Sequence, residues 1–268
     1  MADLLEHWED LAPRLRAAPT VCVLSDFDGT LTPLVDHPEN SELPGATRRA
    51  LEGLSKYPRV ALGVVSGRCL EDLLPRVKVE GLWYVGNHGY EVRSPGGEVT
   101  RSYELADVRY IDKVRDELGQ RTATIPGVAL EHKGPILAVH YRLVKPSRVR
   151  EVEQAFCKVL DGHSQRLMMA RGNMVLEARL RSSCNKGTAV RLIRRRLASR
   201  TLVLYFGDDL TDRDAFRELQ HAGVSVQVGG VPSPLADFTV DDPRAVLEAL
   251  ERIEKELRTR PEVRPLRG

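Results

Sequence analysis

Short apolar runs rich in β-branched residues mark the first third of the chain: VCVLSDF (21–27), VALGVVS (60–66) and LWYVGNHG (82–89). Between them lie ATRRALEGLSKY and LEDLLPRV, whose apolar positions recur at helical spacing. Continuous apolar runs alternating with helices predict βα units of a parallel sheet buried on both faces. Beyond Ser102 the pattern changes. A helix near VRYIDKVRDELG precedes strands in VALEHK and ILAVHYRLV, and a helix near RVREVEQAFCKVL precedes strands in RLMMAR and MVLEAR. In ILAVHYRLV the residues Ile136, Ala138, His140 and Arg142 are in phase, which predicts an antiparallel strand with one polar face. After Cys184 the βα pattern returns with NKGTAVRLIRRRLAS, TLVLYF, DRDAFRELQ, VSVQVG and a final helix near PRAVLEALERIEKEL. The expectation is a doubly wound α/β core of residues 1–104 and 184–268, interrupted by an α+β insert of residues 105–183 in the order αββαββ.

The length of 268 residues suits two such modules. Forty basic against thirty-eight acidic side chains leave a formal charge of +2, too little for a field that would draw nucleic acid or an anionic membrane. A small anionic substrate therefore needs a local basic pocket, and a monomer is expected. The arginine-rich RLIRRRLASR lacks interleaved aromatics and reads as an exposed helix face with favourable charge at its C-terminal end. Cys22, Cys69, Cys157 and Cys184 are scattered, which argues against a zinc or redox motif and for a reduced, cytoplasmic setting. The opening MADLLEHWEDLAPRL reads as an acidic amphipathic helix, and no apolar run approaches the ~18 residues of a membrane span. The closing RTRPEVRPLRG reads as a frayed tail.

Candidate chemistry lies in two acidic strings, SDFDGTLTP with Asp26 and Asp28, and FGDDLTDRDAF with Asp208 and Asp212. Each follows a predicted buried strand, so both fall at the carboxyl ends of a sheet, where ligands bind in open α/β folds. Gly29 and Gly207 suit tight turns there, and the clustered carboxylates suit Mg²⁺ bound together with a phosphate. Asp26 is the expected nucleophile on phosphorus. Asp28 is expected to protonate the leaving alkoxide and later to deprotonate water, with its carbonyl on the metal.

DFDGTLTP resembles the first motif of the haloacid dehalogenase superfamily, which implies a Rossmann-like core carrying a cap. The rest of that signature follows in order. SGR (Ser66, Gly67, Arg68) is similar to its phosphate-binding motif, Lys186 in NKG to its lysine, and GDDLTD to its metal motif. That implies metal ligation by Asp26, the carbonyl of Asp28, Asp208 and, directly or through water, Asp212, with Asp209 in support. Taken singly, these strings also read as an Asx turn, a turn, a solvated lysine and a capped helix start; their joint order favours the site.

GNHGYE, EHKGPILAVHYR and GNMVLEAR with NKG narrow the resemblance to the trehalose-6-phosphate phosphatase family. It implies that Glu131, Lys133 and Glu177 bind sugar hydroxyls from the cap and Arg68, Asn87 and His88 from the core, with approach to the phosphate as the alternative for Lys133. Glu131 and Lys133 also read as an exposed cross-strand charge pattern, and His140 with Arg142 as a network internal to the cap. Leu180 stands where the family commonly has proline after its E-x-R or E-x-K segment. The implied activity is Mg²⁺-dependent hydrolysis of trehalose 6-phosphate; a related sugar phosphatase acting on sucrose-phosphate, glycosylglycerate phosphate or hexose phosphate, or a non-catalytic module, are the alternatives.

Overall fold

The computed structural model describes residues 2–35, 38–172, 174–230 and 232–258; Asn173 and residues 259–268 of the expected tail lie outside the described residues. The chain divides into two units, residues 1–100 with 184–268, and residues 101–183. The first stretch holds β1 (Ala2–Asp3), α1 (Trp8–Ala17), β2 (Thr20–Asp26), α2 (Gly45–Leu54), β3 (Val60–Val65), α3 (Leu70–Val77), β4 (Trp83–Gly86), β5 (Glu91–Arg93) and β6 (Val99–Arg101). Then come α4 (Leu105–Thr122), β7 (Ala129–His132), β8 (Ile136–His140), α5 (Val149–Gly162), β9 (Leu167–Gly172) and β10 (Val175–Leu180), the αββαββ order. The chain closes with α6 (Lys186–Arg196), β11 (Thr201–Gly207), α7 (Arg213–Leu219), β12 (Val224–Val228), β13 (Phe238–Val240) and α8 (Pro243–Arg258).

The first unit is built on a nine-stranded sheet ordered β1-β13-β12-β11-β2-β3-β4-β5-β6. From β1 to β4 every pairing is parallel, and β5 turns back antiparallel on β4. Parallel strands need both faces covered, which explains their uniform apolar character. Leu11, Leu15, Leu51, Leu54, Leu73, Leu250 and Ile253 from α1, α2, α3 and α8 close one face. Val190 and Ile193 of α6, with Phe216 and Leu219 of α7, close the other.

The second unit is a four-stranded antiparallel sheet, β7-β8-β10-β9. Leu130 approaches Gly119 of α4, His132 stands 3.7 Å from Asp112 of α4, and Arg171 pairs with Glu153 of α5 at 2.7 Å. These residues therefore share the face that carries both helices. Leu180 ends β10 with its amide donating to the Pro135 carbonyl at 3.1 Å, a bond that the commoner proline lacks the N–H to make.

Three expectations change. The opening helix starts only at Trp8, because the Asp3 carboxylate accepts the amides of Leu5 and Glu6 at 2.8 and 3.0 Å and turns the chain after β1. The strand read in LWYVGNHG stops at Gly86, since Asn87 and His88 both adopt left-handed backbone, φ 49° and 56°. ILAVHYRLV is a strand only to His140, and Ile136, Leu137, Ala138 and Val139 are all buried. Of its own polar face β8 keeps His140, and the neighbouring strands supply the carboxylates, as described below. No helix among the described residues is long and apolar enough to cross a membrane.

Candidate active site

From β2 the chain winds outward through β3 and β4, and from β11 it winds the opposite way through β12 and β13. The crevice between β2 and β11 is therefore the switch point of the sheet, where ligands bind beyond the carboxyl ends. Register completes the placement. Phe206 lies opposite Ser25, so Gly207 is level with Asp26 and the two acidic strings leave adjacent strands together.

At the bottom of the crevice a buried lysine joins two carboxylates. Lys186 Nζ donates to Asp26 Oδ1 and to Asp212 Oδ1, each at 2.7 Å. Lys186 begins α6, whose N-cap Asn185 accepts the Thr188 amide at 2.8 Å while the Thr188 hydroxyl accepts the Asn185 amide at 2.9 Å. A cation in the first turn opposes the helix dipole, so its position is explained by the carboxylates it reaches. Burial pulls the ammonium towards neutrality, but Asp212 and Asp26 outweigh it and keep the lysine protonated. Asp212 Oδ1 also accepts the Tyr205 hydroxyl at 2.6 Å, and its Oδ2 accepts the Asp209 amide at 3.0 Å. Burial raises the Asp26 carboxyl well above its ordinary value; the charges of Asp212 and Asp208 add to this, and Lys186 offsets only part.

Asp208 sits above this pair. The Thr30 hydroxyl donates to its Oδ1 at 3.1 Å, and Gln227 Nε2 holds its carbonyl at 2.8 Å. Burial first and Asp212 second raise its pKa to about 6. The glycines have different reasons. Gly29 has φ +84°, and a Cβ there would lie 2.2 Å from Asp208 Oδ2. Gly207 has no left-handed backbone, contrary to the tight turn expected of it; a Cβ there would instead meet Asp212 Cγ at 2.4 Å.

Asp26, Asp208 and Asp212 each offer an oxygen, all within 4.8 Å of one another. An all-oxygen donor set suits a hard divalent cation. Three carboxylates facing a single ammonium leave two negative charges unbalanced, and this excess adds to burial, the larger cause, in raising the Asp26 and Asp208 carboxyls. The residues present thus fit Mg²⁺. Asp28 differs: its side chain is turned to Arg68, whose Nε and Nη2 donate at 2.7 and 2.8 Å, and to the Ser41 hydroxyl at 2.9 Å.

The SGR turn follows β3. Ser66 is buried, its Oγ accepting the Arg68 amide at 3.1 Å, and its carbonyl accepts the His88 amide at 2.9 Å. Asn87 donates its amide to the Arg68 carbonyl at 2.7 Å. This bonding sustains two successive left-handed non-glycine residues, a strain that tends to sit at functional sites. The His88 ring packs where a Cβ on Gly67 would come within 2.6 Å. Ser66, Gly67, Arg68, Asn87 and His88 are thereby brought together. The first amide of α3, however, is capped by Glu91 Oε2 at 2.8 Å, so it is not open to a phosphate.

In the second unit, Glu131 of β7 and Glu177 of β10 both lie opposite Ala138 of β8, on the face away from α4 and α5. Two strand spacings separate them, roughly 10 Å, with alanine between. Glu131 accepts from Lys133 at 3.1 Å and His140 at 2.8 Å. Burial alone would raise its carboxyl, but the bonds from His140 and Lys133 win and lower it. Glu177 Oε2 accepts from Arg179 Nε at 2.8 Å. His140 thus belongs to a network internal to this unit, fixing Glu131 from within the sheet.

Thr30, Ser41, Asp72, Glu91, Tyr205 and Gln227 were not singled out in the sequence. Thr30 and Glu91 sit inside the recognised DGTL and GNHGYE strings and were within reach. Tyr205 reaches Asp212 seven residues on, and Ser41, Asp72 and Gln227 act through contacts that the sequence does not signal.

A sequence profile of the trehalose-phosphatase family matches residues 24–243. The trehalose-phosphate phosphatase of Mycobacterium leprae is 34% identical over 256 residues, 88% of this chain and 58% of the relative. That of Mycobacterium bovis is 36% identical over 250 residues, 89% and 62%. A probable trehalose-phosphate phosphatase 3 of Oryza sativa is 30% identical over 270 residues, 92% and 73%. The chain spans about three-fifths of the length of the mycobacterial relatives. In fold it is similar to the C-terminal domain of C. albicans trehalose-6-phosphate phosphatase, with a TM-score of 0.79 at 24% identity over 92% of this chain and 96% of that one. A profile match over most of its length, with a rice relative largely spanned, shows that the chain belongs to the trehalose-phosphatase family.

Proposed function

We propose that the protein hydrolyses trehalose 6-phosphate to trehalose and phosphate as a Mg²⁺-dependent phosphatase, through an aspartyl-phosphate on Asp26. The observation that carries this reading is the buried Asp26–Lys186–Asp212 triad with Asp208 beside it, at the switch point of the sheet. Bound Mg²⁺, taken by Asp26, Asp208 and the Asp28 carbonyl, would neutralise the phosphate and fix it for in-line attack. The three bonds already made to the oxygens of Asp212 suit it to orienting Lys186 and to supporting the metal shell rather than to direct ligation.

In this mechanism an oxygen of Asp26 forms the bond to phosphorus as the bond to the sugar O6 breaks. Asp28 gives the departing oxygen its proton, then takes one from the water that cleaves the aspartyl-phosphate, so protons balance over the cycle. Lys186, Ser66 and Gly67 bear the charge of the transferring group. The second unit acts as the specificity cap, with Glu131, Lys133 and Glu177 taking sugar hydroxyls, and Arg68, Asn87 and His88 serving from the core. Its polar face, with two carboxylates flanking a flat alanine, suits a ligand rich in hydroxyls. A monomer working in the cytoplasm without nucleic acid completes the reading.

Phosphate release with Mg²⁺ is to be measured on trehalose 6-phosphate, sucrose-phosphate, a glycosylglycerate phosphate and a hexose phosphate. Preference for trehalose 6-phosphate, lost in chelator and in a folded Asp26→Asn variant, is expected. Preference for another member of the panel overturns the substrate, and no turnover at all favours a non-catalytic module.

A further inference from the structure

Arg68 stands between two carboxylates. Its Nε and Nη2 grip Asp28, and its Nη1 donates to Asp72 Oδ2 at 2.7 Å. The other oxygen of Asp72 accepts from Arg76 Nε at 2.8 Å. Arg76 Nη1 then donates to the Ser41 carbonyl at 2.7 Å, and the Ser41 hydroxyl donates back to Asp28 Oδ1. The bonds close into a ring of five residues drawn from the Asp28 turn, the segment around Ser41, and α3 with the SGR turn before it.

An Asp72–Arg76 pair at i, i+4 is by itself an ordinary helix contact. What sets this one apart is its destination and the burial of its two arginines, the Asp72 side chain itself being 37% exposed. The side chains of Arg68 and Arg76 are only 11% and 18% exposed, and the Arg68 guanidinium lies 5.6 Å from the centre of the Phe27 ring. A charge-assisted fork held at this depth keeps its geometry, where a solvated one would not.

In the mechanism proposed above, on which this inference rests, Asp28 must turn an oxygen towards the leaving group. The Arg68 fork has to open on that side and close again in each turnover. An arginine released from one of two carboxylates stays where the other holds it. We infer that Asp72, itself fixed by Arg76, is a positioning residue: it retains Arg68 while Asp28 works, and so returns Asp28 to one place. Asp72 touches neither the reacting atoms nor the proposed metal ligands; it acts through Arg68.

The test compares Asp72→Ala, Asp72→Asn and Asp72→Glu with the unaltered protein in steady-state phosphatase assays, with circular dichroism to check folding. The two shortened or neutral variants are expected to lose on the order of 10- to 100-fold in kcat with KM changed by less than about threefold, and Asp72→Glu to recover most of the loss. Arg68→Ala with Asp72→Ala should be no slower than Arg68→Ala alone, because both act through one contact. Independently of activity, the Arg68 Nε–H resonance, protected from exchange by Asp28, should lose protection in Asp72→Ala. Unchanged kcat, or additive losses in the double variant, overturn the inference. A protein that hydrolyses no sugar phosphate would sink the phosphatase reading instead, and unchanged Nε–H protection in Asp72→Ala would then overturn the positioning role on its own.

Discussion

Lys186 ties a structural requirement to the proposed chemistry. Replacing it with methionine keeps the volume but leaves Asp26 and Asp212 buried without a counter-charge. Breaking a buried pair in this way costs about 3–5 kcal/mol. Lys186→Met is therefore expected to lose that much in urea unfolding in chelator, along with all turnover. Gly29→Ala tests a different constraint, since left-handed backbone and a Cβ 2.2 Å from an Asp208 oxygen must both be accommodated. A loss of roughly 1–3 kcal/mol and of Mg²⁺-dependent activity is expected, measured by denaturant melts and phosphate release. At this scale the acidic strings and Lys186 were legible because motif chemistry is local. Asp72 was not: nothing in LEDLLPRV distinguishes an aspartate that holds a second-motif arginine from one that only favours the helix start.

Strands and helices were legible from periodicity, and the misreadings have local causes. Side-chain capping by Asp3 delayed the first helix, and successive left-handed residues at Asn87 and His88 ended β4 early. The polar face in ILAVHYRLV is only in part that strand's own. On β8 that face holds Ile136 and Ala138, both buried, with His140 as its polar residue, while the flanking β7 and β10 bring Glu131 and Glu177 to it. RLIRRRLASR carries the exposed helix surface expected of it, with Arg191 and Arg194 paired to Glu218 at 2.7 and 3.2 Å. If the β7–β10 face reads the sugar, Glu177→Gln should raise KM for trehalose 6-phosphate by about tenfold while leaving hydrolysis of p-nitrophenyl phosphate within about twofold. Equal effects on both substrates would count against a sugar-specific role.

Over the whole molecule, burial of clustered carboxylates at the switch point, with their mutual repulsion, couples stability to pH. The folded carboxyl of Asp208 titrates near 6 against an ordinary aspartate value of 3.8, and Asp26 is raised as well, so the metal-free fold binds more protons than the unfolded chain. The stability Asp208 contributes is fully present below the unfolded value and is lost as pH rises through about 6. Mg²⁺ would supply the missing positive charge, so the rise in Tm on adding it should be larger at about pH 7.5 than at about pH 5. Thermal melts with and without Mg²⁺ at both pH values check this, and an equal gain at both would argue against a cation among these carboxylates.

By itself the sequence determined the order of elements, the two-part layout of sheet types and the acidic strings and lysine that meet at the switch point, because hydrophobic period, turn chemistry and carboxylate motifs are written within a few residues of one another. The tertiary structure alone decided that β11 lies beside β2 with Gly207 level with Asp26, that Lys186 reaches two carboxylates at once, and that Asp28 is held in a ring closed through Arg68, Asp72, Arg76 and Ser41. Those are matters of register and of distance between segments far apart in the chain, and they are settled by packing the whole sheet.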